Sequence, residues 1–202
     1  WQDQTGQGSC KNADAGYYSL GTLVSDIPAT SQTPCAAGTY QASTGQSSCD
    51  DTDEGYYSPG TETNPSANGG YSNATSQVPC AAGTYQDETG KDDCKQSSNG
   101  YYSPGTVGGT GVDSSVTTVA TSQTPCAAGT YSNYVTTTPS SDRASCTDSA
   151  AGYYSPGTYD LNGVNYPAIS ETDCEAGTWQ NETGQSSCKD AEAGYYSEGT
   201  TA

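Results

Sequence analysis

The chain has 202 residues, with 23 Asp and Glu against 5 Lys and Arg, a formal charge of -18, and no His, Met or Phe. Leu, Ile and Val number 13 together while Ser and Thr number 56, so one large hydrocarbon core is excluded. The balance also excludes a phosphate-tracking nucleic-acid binder and docking on an anionic membrane, and no run approaches the roughly 20 apolar residues that span a bilayer.

Seventeen Tyr and nine Cys argue against plain disorder. A chain this poor in hydrocarbon needs staples, and cysteine is the one it has. Enzyme chemistry is poorly supplied. There is no imidazole for proton transfer, the single Arg is Arg143, and neither a P-loop nor a Gly-x-Ser-x-Gly elbow occurs. No catalytic residue can be nominated, and no enzyme is expected.

The chain opens with a partial repeat, 1–29. Trp1-Gln2-Asp3-Gln4-Thr5-Gly6-Gln7-Gly8-Ser9-Cys10 matches Trp179-Gln180-Asn181-Glu182-Thr183-Gly184-Gln185-Ser186-Ser187-Cys188 near the other end. Gly16-Tyr17-Tyr18-Ser19 then gives the first of five Gly-Tyr-Tyr-Ser motifs, the others starting at Gly55, Gly100, Gly152 and Gly194. No signal peptide is visible at Trp1, as expected of a mature chain or a fragment.

The first full repeat is 30–74. Thr30-Ser31-Gln32-Thr33-Pro34 leads into Cys35, and Ala36-Ala37-Gly38-Thr39-Tyr40-Gln41 runs out as a strand. Thr44-Gly45 turns the chain and Gln46-Ser47-Ser48-Cys49 returns it, so the sequence predicts a hairpin whose cysteines meet at its open end. Asp50-Asp51-Thr52-Asp53-Glu54 resembles a calcium loop, but its counterpart Lys95-Gln96-Ser97-Ser98-Asn99 lacks the acids. It reads as a solvated acidic turn with weak calcium binding at most, and no other cofactor is expected. The Tyr56-Tyr57 pair is expected to straddle a short strand, and the tyrosines to form the small core of each module. Ser58-Pro59-Gly60-Thr61 has the composition of a type II turn.

Repeats 75–120 and 121–168 follow the same plan through Cys80 and Cys94, then Cys126 and Cys146. The last segment, 169–202, is again partial and has drifted: Ser170-Glu171-Thr172-Asp173 precedes Cys174. Beginning and ending in mid-repeat leads to the expectation of a segment of a longer array, or of a protomer completed by neighbours. Variation concentrates in 61–74, 106–120 and 158–168, which read as surface loops or short edge strands. Asn73-Ala74-Thr75 and Asn181-Glu182-Thr183 are N-glycosylation sequons. The cluster from Val135 to Ser141 suits O-linked sugar.

Nine cysteines leave one without a partner in this chain. Local pairing joins neighbours 14, 14, 20 and 14 residues apart and leaves Cys10; bridging pairing spans 25, 31, 32 and 28 and leaves Cys188. The near-constant set suits a fixed hairpin, but the bridging set stays open on spacing alone. Zinc would need closely spaced Cys-x-x-Cys or Cys with His, and neither appears.

The run Cys35-Ala36-Ala37-Gly38-Thr39-Tyr40-Gln41, then Thr44-Gly45-Gln46-Ser47-Ser48-Cys49, then Gly55-Tyr56-Tyr57-Ser58, resembles the ephrin-receptor-like cysteine-rich repeat. Its first half is also similar to the opening of a tumour-necrosis-factor-receptor type module. The resemblance covers essentially the whole chain. It implies a solenoid-like rod of small β-hairpin modules in linear tandem, all-β with little or no helix, with Cys35 bonded to Cys49, Cys80 to Cys94, Cys126 to Cys146 and Cys174 to Cys188. Cys10 is then left for a cysteine outside this segment or in a neighbouring chain. The family's following Cys-x-x-Cys-Pro-x-Gly is missing here, so receptor-like ligand binding is not implied. Similar repeats occur in long surface and flagellar-hair proteins.

Disulfides imply an oxidising, extracellular compartment. The expected function is a structural subunit of a glycosylated extracellular filament or rod, self-associating head-to-tail with no membrane insertion and no nucleic acid. The alternative is an adhesive or receptor ectodomain stalk that presents the variable loops to a ligand.

Overall fold

The computed structural model describes residues 1–21, 28–61, 73–106, 118–133 and 143–200. They form an all-β chain of tandem two-stranded hairpins stapled by four disulfides, with no α-helix among the described residues.

The strands are two or three residues long. In chain order they are β1 (Tyr17–Tyr18), β2 (Thr33–Pro34), β3 (Thr39–Tyr40), β4 (Asp50–Asp51), β5 (Tyr56–Tyr57), β6 (Val78–Pro79), β7 (Thr84–Tyr85), β8 (Lys95–Gln96) and β9 (Tyr101–Tyr102). They continue with β10 (Thr124–Pro125), β11 (Thr130–Tyr131), β12 (Thr147–Asp148), β13 (Tyr153–Tyr154), β14 (Tyr159–Leu161), β15 (Val164–Tyr166), β16 (Thr172–Asp173), β17 (Thr178–Trp179) and β18 (Lys189–Asp190).

The chain gathers into two compact units. The first holds Trp1–Cys80, Gln86–Lys95 and Gly108–Thr121; the second holds Ala81–Tyr85, Gln96–Val107 and Ser122–Ala202. In each unit two kinds of antiparallel pair alternate. One lies within a repeat and carries the disulfide: β3 with β4 in the first unit, β11 with β12 and β17 with β18 in the second. The other joins a Tyr-Tyr strand to the strand just before the next leading cysteine: β1 with β2 and β5 with β6 in the first unit, β9 with β10 and β13 with β16 in the second.

Strands this short bury little, so their support comes from close approach of small groups. The buried residues are the leading cysteines Cys35, Cys80, Cys126 and Cys174, the alanines Ala13, Ala74, Ala120 and Ala168, and polar side chains such as Thr52, Ser58, Ser103, Ser149, Ser155, Gln41, Gln86 and Gln180. The paired tyrosines of β1, β5, β9 and β13 are only half-buried. The expectation of a tyrosine core is therefore corrected. A ring between repeats would hold two backbones apart, whereas Cys, Ala and Ser let them meet; Thr52, Ser58, Gln41 and Gln86 are hydrogen-bonded, while the buried Ser97 and Ser132 hydroxyls have no partner among the described residues.

Gly60 shows how tight that meeting is. It has φ +82°, as the Ser-Pro-Gly-Thr turn requires, and a Cβ there would lie 2.6 Å from the Ala37 nitrogen. The turn is open: the Thr61 N–H donates to the Cys35 carbonyl at 2.8 Å, and the Gly60 N–H to the Ser58 hydroxyl at 3.2 Å.

Of the three variable stretches, 158–168 is described in full; 62–72 and 107–117 lie outside the described residues. The described one is a surface hairpin of β14 and β15, turned by Asn162 at φ +55° and Gly163 at φ +79°. Two successive positive φ values are the type I′ geometry that Asn-Gly favours. Tyr159 and Tyr166 stack across it with ring centroids 5.1 Å apart.

Candidate assembly site

The hairpin that follows each leading cysteine is closed by its own disulfide. Cys35–Cys49, Cys80–Cys94, Cys126–Cys146 and Cys174–Cys188 bring Cα atoms to 5.7, 5.8, 5.7 and 5.7 Å, over separations of 14, 14, 20 and 14. The leading cysteine is buried in every pair, and its partner is half-buried. Cys10 is an exposed free thiol.

A glutamine, whose role the sequence reading missed, sets the hairpin tip. The Gln41 side-chain amide donates to the Ser48 carbonyl at 3.1 Å, while its oxygen accepts the Ser43 N–H at 2.9 Å. Gln86 repeats this with the Asp93 carbonyl at 2.7 Å and the Glu88 N–H at 3.2 Å, and Gln180 with the Ser187 carbonyl at 3.0 Å and the Glu182 N–H at 3.2 Å. In the remaining repeat Ser132 stands at this position, too short to bridge, and there the cysteines are 20 apart instead of 14. The signal was present: the Gln follows Thr-Tyr or Thr-Trp wherever the spacing is 14.

The joint between successive repeats is built from backbone groups that recur at every copy. The Cys35 N–H donates to the Gly16 carbonyl at 2.9 Å, and Cys80, Cys126 and Cys174 do the same to Gly55, Gly100 and Gly152 at 2.9, 2.8 and 2.9 Å. The Gly16 N–H donates to the Gln41 carbonyl at 2.8 Å, with Gly55 to Gln86, Gly100 to Ser132 and Gly152 to Gln180 alike. The Thr61 hydroxyl donates back to the Gly16 carbonyl at 2.6 Å and accepts the Ala74 N–H at 3.0 Å; Thr158 does likewise with Gly100 and Ala168.

A second side chain, Gln in three joints and Glu in the fourth, latches each joint. The Gln32 side-chain oxygen accepts the Asp14 N–H at 2.7 Å and its amide donates to the Asp14 carboxylate at 2.8 Å. Gln77 treats Asp53 in the same way at 2.7 and 2.8 Å, and Gln123 accepts the Ser98 N–H at 2.5 Å. In the drifted copy Glu171 accepts the Ala150 N–H at 2.7 Å. Where the acid becomes alanine, the amide donor is no longer needed and a carboxylate suffices.

The chain matches no family model and no curated protein.

The fifth Gly-Tyr-Tyr-Ser has the same local shape but no partner strand among the described residues. The Tyr195 N–H donates to the Glu192 carbonyl at 2.9 Å, as Tyr17 does to Asp14 at 3.0 Å. Ser197 is fixed by its hydroxyl to the Thr178 carbonyl at 2.8 Å and by its carbonyl to the Gly177 N–H at 2.9 Å. Tyr195 and Tyr196 are 77% and 86% exposed, beside a groove of about 370 Å³ lined with Trp179, Ala191 and Glu192.

Charge lies at the hairpin tips. Lys95 donates to Asp87 at 2.5 Å and to Glu88 at 2.8 Å, and Lys91 pairs with Glu88 at 2.6 Å. Hydrogen bonds from Lys91 and then Lys95 draw the exposed Glu88 carboxyl from 4.5 down to about 2. Lys11 and Lys189 lie over the Trp1 and Trp179 rings at 4.9 and 5.1 Å.

The sequon residues Asn73 and Asn181 are exposed, and the Asn181 side-chain oxygen accepts a hydrogen bond from Lys189 at 3.4 Å. The Val135–Ser141 cluster lies outside the described residues. In the acidic stretch after Cys49, Thr52 is fully buried and accepts the Lys91 N–H at 3.0 Å, so the run is interrupted by a packed joint. Among the described residues no three His, Cys, Asp or Glu side chains cluster as metal ligands, and no helix is long and apolar enough to cross a membrane.

Proposed function

We propose that the chain is a structural subunit of an extracellular, glycosylated filament, extended head-to-tail by the joint that links its repeats. The observation carrying this reading is the recurrence of one bonding set, leading Cys N–H to Gly carbonyl with a Gln or Glu latch, at four successive joints. A contact that offers different surfaces on its two sides and recurs at every repeat is one that a further copy could continue. The four disulfides suit an oxidising, extracellular setting. The likeness to ephrin-receptor-like repeats, two exposed sequons and the lack of a nominated catalytic residue fit a scaffold better than an enzyme or a cofactor protein.

Electron microscopy of native material tests it. Filaments with a periodic substructure are expected; separate monomers at every concentration would remove the reading. A second reading, an adhesive stalk, is favoured by one feature. The β14–β15 hairpin exposes Tyr159, Leu161, Val164 and Tyr166 at 44, 54, 52 and 43% in a variable stretch. Loss of ligand or surface binding on replacing that hairpin, with monomers in the microscope, would select it.

A further inference from the structure

We propose that the groove between the joint at Gly100 and the β14–β15 hairpin binds a neutral sugar, held by side-chain amides and the Tyr101 phenol. The inference goes beyond the filament reading and does not depend on it. The groove has a volume of about 390 Å³ and is lined by Ser98, Asn99, Tyr101, Gln123, Asn165 and Pro167. All six belong to the second compact unit.

An incomplete latch marks the site. Gln32 and Gln77 use both ends of the carboxamide: the oxygen accepts a backbone N–H and the nitrogen donates to Asp14 or Asp53. At the Gly100 joint, Ser98 stands where those aspartates stand. Gln123 still accepts the Ser98 N–H at 2.5 Å, but its amide nitrogen has no acceptor among the described residues. Glu171 shows that the N–H can be capped without any donor left over. Gln opposite Ser therefore leaves one donor in the groove for another molecule.

The variable stretch 158–168 supplies the opposite wall, and its base is pinned to the joint. The Thr158 hydroxyl donates to the Gly100 carbonyl at 2.6 Å and accepts the Ala168 N–H at 3.0 Å. A Cβ at Gly100 would lie 2.7 Å from the Pro167 Cβ. From this base the Asn165 amide donates to the Tyr101 hydroxyl oxygen. The phenol proton and the Asn165 oxygen are then left as a donor and an acceptor. Little ordering remains for a ligand to impose.

The lining selects the ligand by exclusion. It offers no cation to hold an anion, and a chain charge of -18 opposes one; it offers no carboxylate to hold a cation. The backbone here is already engaged. The Gly100 N–H donates to the Ser132 carbonyl, its carbonyl accepts the Cys126 N–H and the Thr158 hydroxyl, and Tyr101 is paired with Pro125. An extended peptide therefore finds no strand edge. Carboxamides, hydroxyls and the apolar faces of one tyrosine ring and one proline remain. The hydroxyls of a sugar donate and accept at once, as carboxamides do, and its C–H face packs on a ring. The volume lies near the low end of the about 300–1,000 Å³ usual for small-molecule sites, which suits the end of a glycan and not a folded partner.

The test is titration of the isotope-labelled 202-residue chain with the methyl glycosides of glucose, galactose and mannose, followed by side-chain amide shifts. At about 10 mM, ample for a millimolar site, at least one should give saturable shifts at Asn99, Gln123 and Asn165. Glycerol, an anionic sugar acid and a Gly-Ser-Gly-Ser peptide at the same concentration should not. Gln123→Glu keeps the cap on Ser98, as Glu171 does for Ala150, and should weaken binding about fivefold through loss of one donor. Ser98→Asp rebuilds the full latch of Gln77 and Asp53, so it should abolish binding with no loss of thermal stability. No saturable shift from any of the three glycosides, equal shifts from glycerol or the peptide, or undiminished binding in Ser98→Asp would overturn the proposal. Self-association of native glycosylated material that Ser98→Asp releases would assign the sugar to a second copy; sugar binding without it assigns the sugar to another molecule.

Discussion

Gln77 and Asp53 are 24 residues apart and form a closed pair: the Asp53 N–H meets the Gln77 side-chain oxygen at 2.7 Å, and the Gln77 amide meets the Asp53 carboxylate at 2.8 Å. One side chain thus reads both the backbone and the charge of the preceding repeat.

That reciprocity makes Gln77→Glu a charge conflict, not a conservative change. The variant should lose about 1–2 kcal/mol in denaturant unfolding, because a donor is lost and two carboxylates are brought together. Asp53→Ala should recover most of it, reproducing the Glu171 and Ala150 arrangement. A double-mutant cycle showing no coupling would refute the latch.

Removing a staple is costly in a chain with so little hydrocarbon. Replacing Cys80 and Cys94 by Ala together should cost about 3 kcal/mol if closure of the short loop dominates. Hydrogen exchange should then rise first at Gln86 and Gly83, whose amides serve the adjoining joints.

Gly60→Ala places a Cβ 2.6 Å from the Ala37 backbone at a residue with φ +82°. The expected loss is about 2 kcal/mol or more, from positive φ and from backbone that must move. Gly6→Ala is the control: its φ is +78° but no atom of the described residues lies within 4 Å, so its loss should be near 1 kcal/mol. Equal losses at the two sites would argue against close packing at Gly60.

The tip at Glu88 should report on acid. Its carboxyl is lowered from 4.5 to about 2 by Lys91 and Lys95, so its contribution is complete above pH 4.5 and fades as pH falls toward 2. Amide exchange at Asp87–Lys91 should accelerate over that window, and Glu88→Gln should flatten the dependence. The pairs are exposed, so added salt should weaken the effect.

The hairpin of Thr39 and Tyr40 with Asp50 and Asp51 was legible because a constant 14-residue spacing and a central Thr-Gly are local signals. The positive φ of Gly60 was legible for the same reason, since Pro and Gly encode a turn without reference to anything distant. Tyr56 and Tyr57 were misread as core because composition ranks apolar groups by size. Burial here follows how closely two backbones approach, which favours Cys35, Ser58 and Ala74. Gln32 and Gln41 stand in the repeat motif, but the repeat alone does not tell a residue that bridges one hairpin from a residue that latches two repeats.

The sequence by itself therefore determined the repeat length, the hairpin positions, the staple spacing and the exclusion of a large core, all properties of local chemistry and composition. Only the tertiary structure decided that β5 pairs with β6, that Thr61 reaches back 45 residues to the Gly16 carbonyl, and that Gln77 latches onto Asp53. Those choices depend on which backbone donors and acceptors meet after the chain has turned, and every repeat carries the same donors and acceptors.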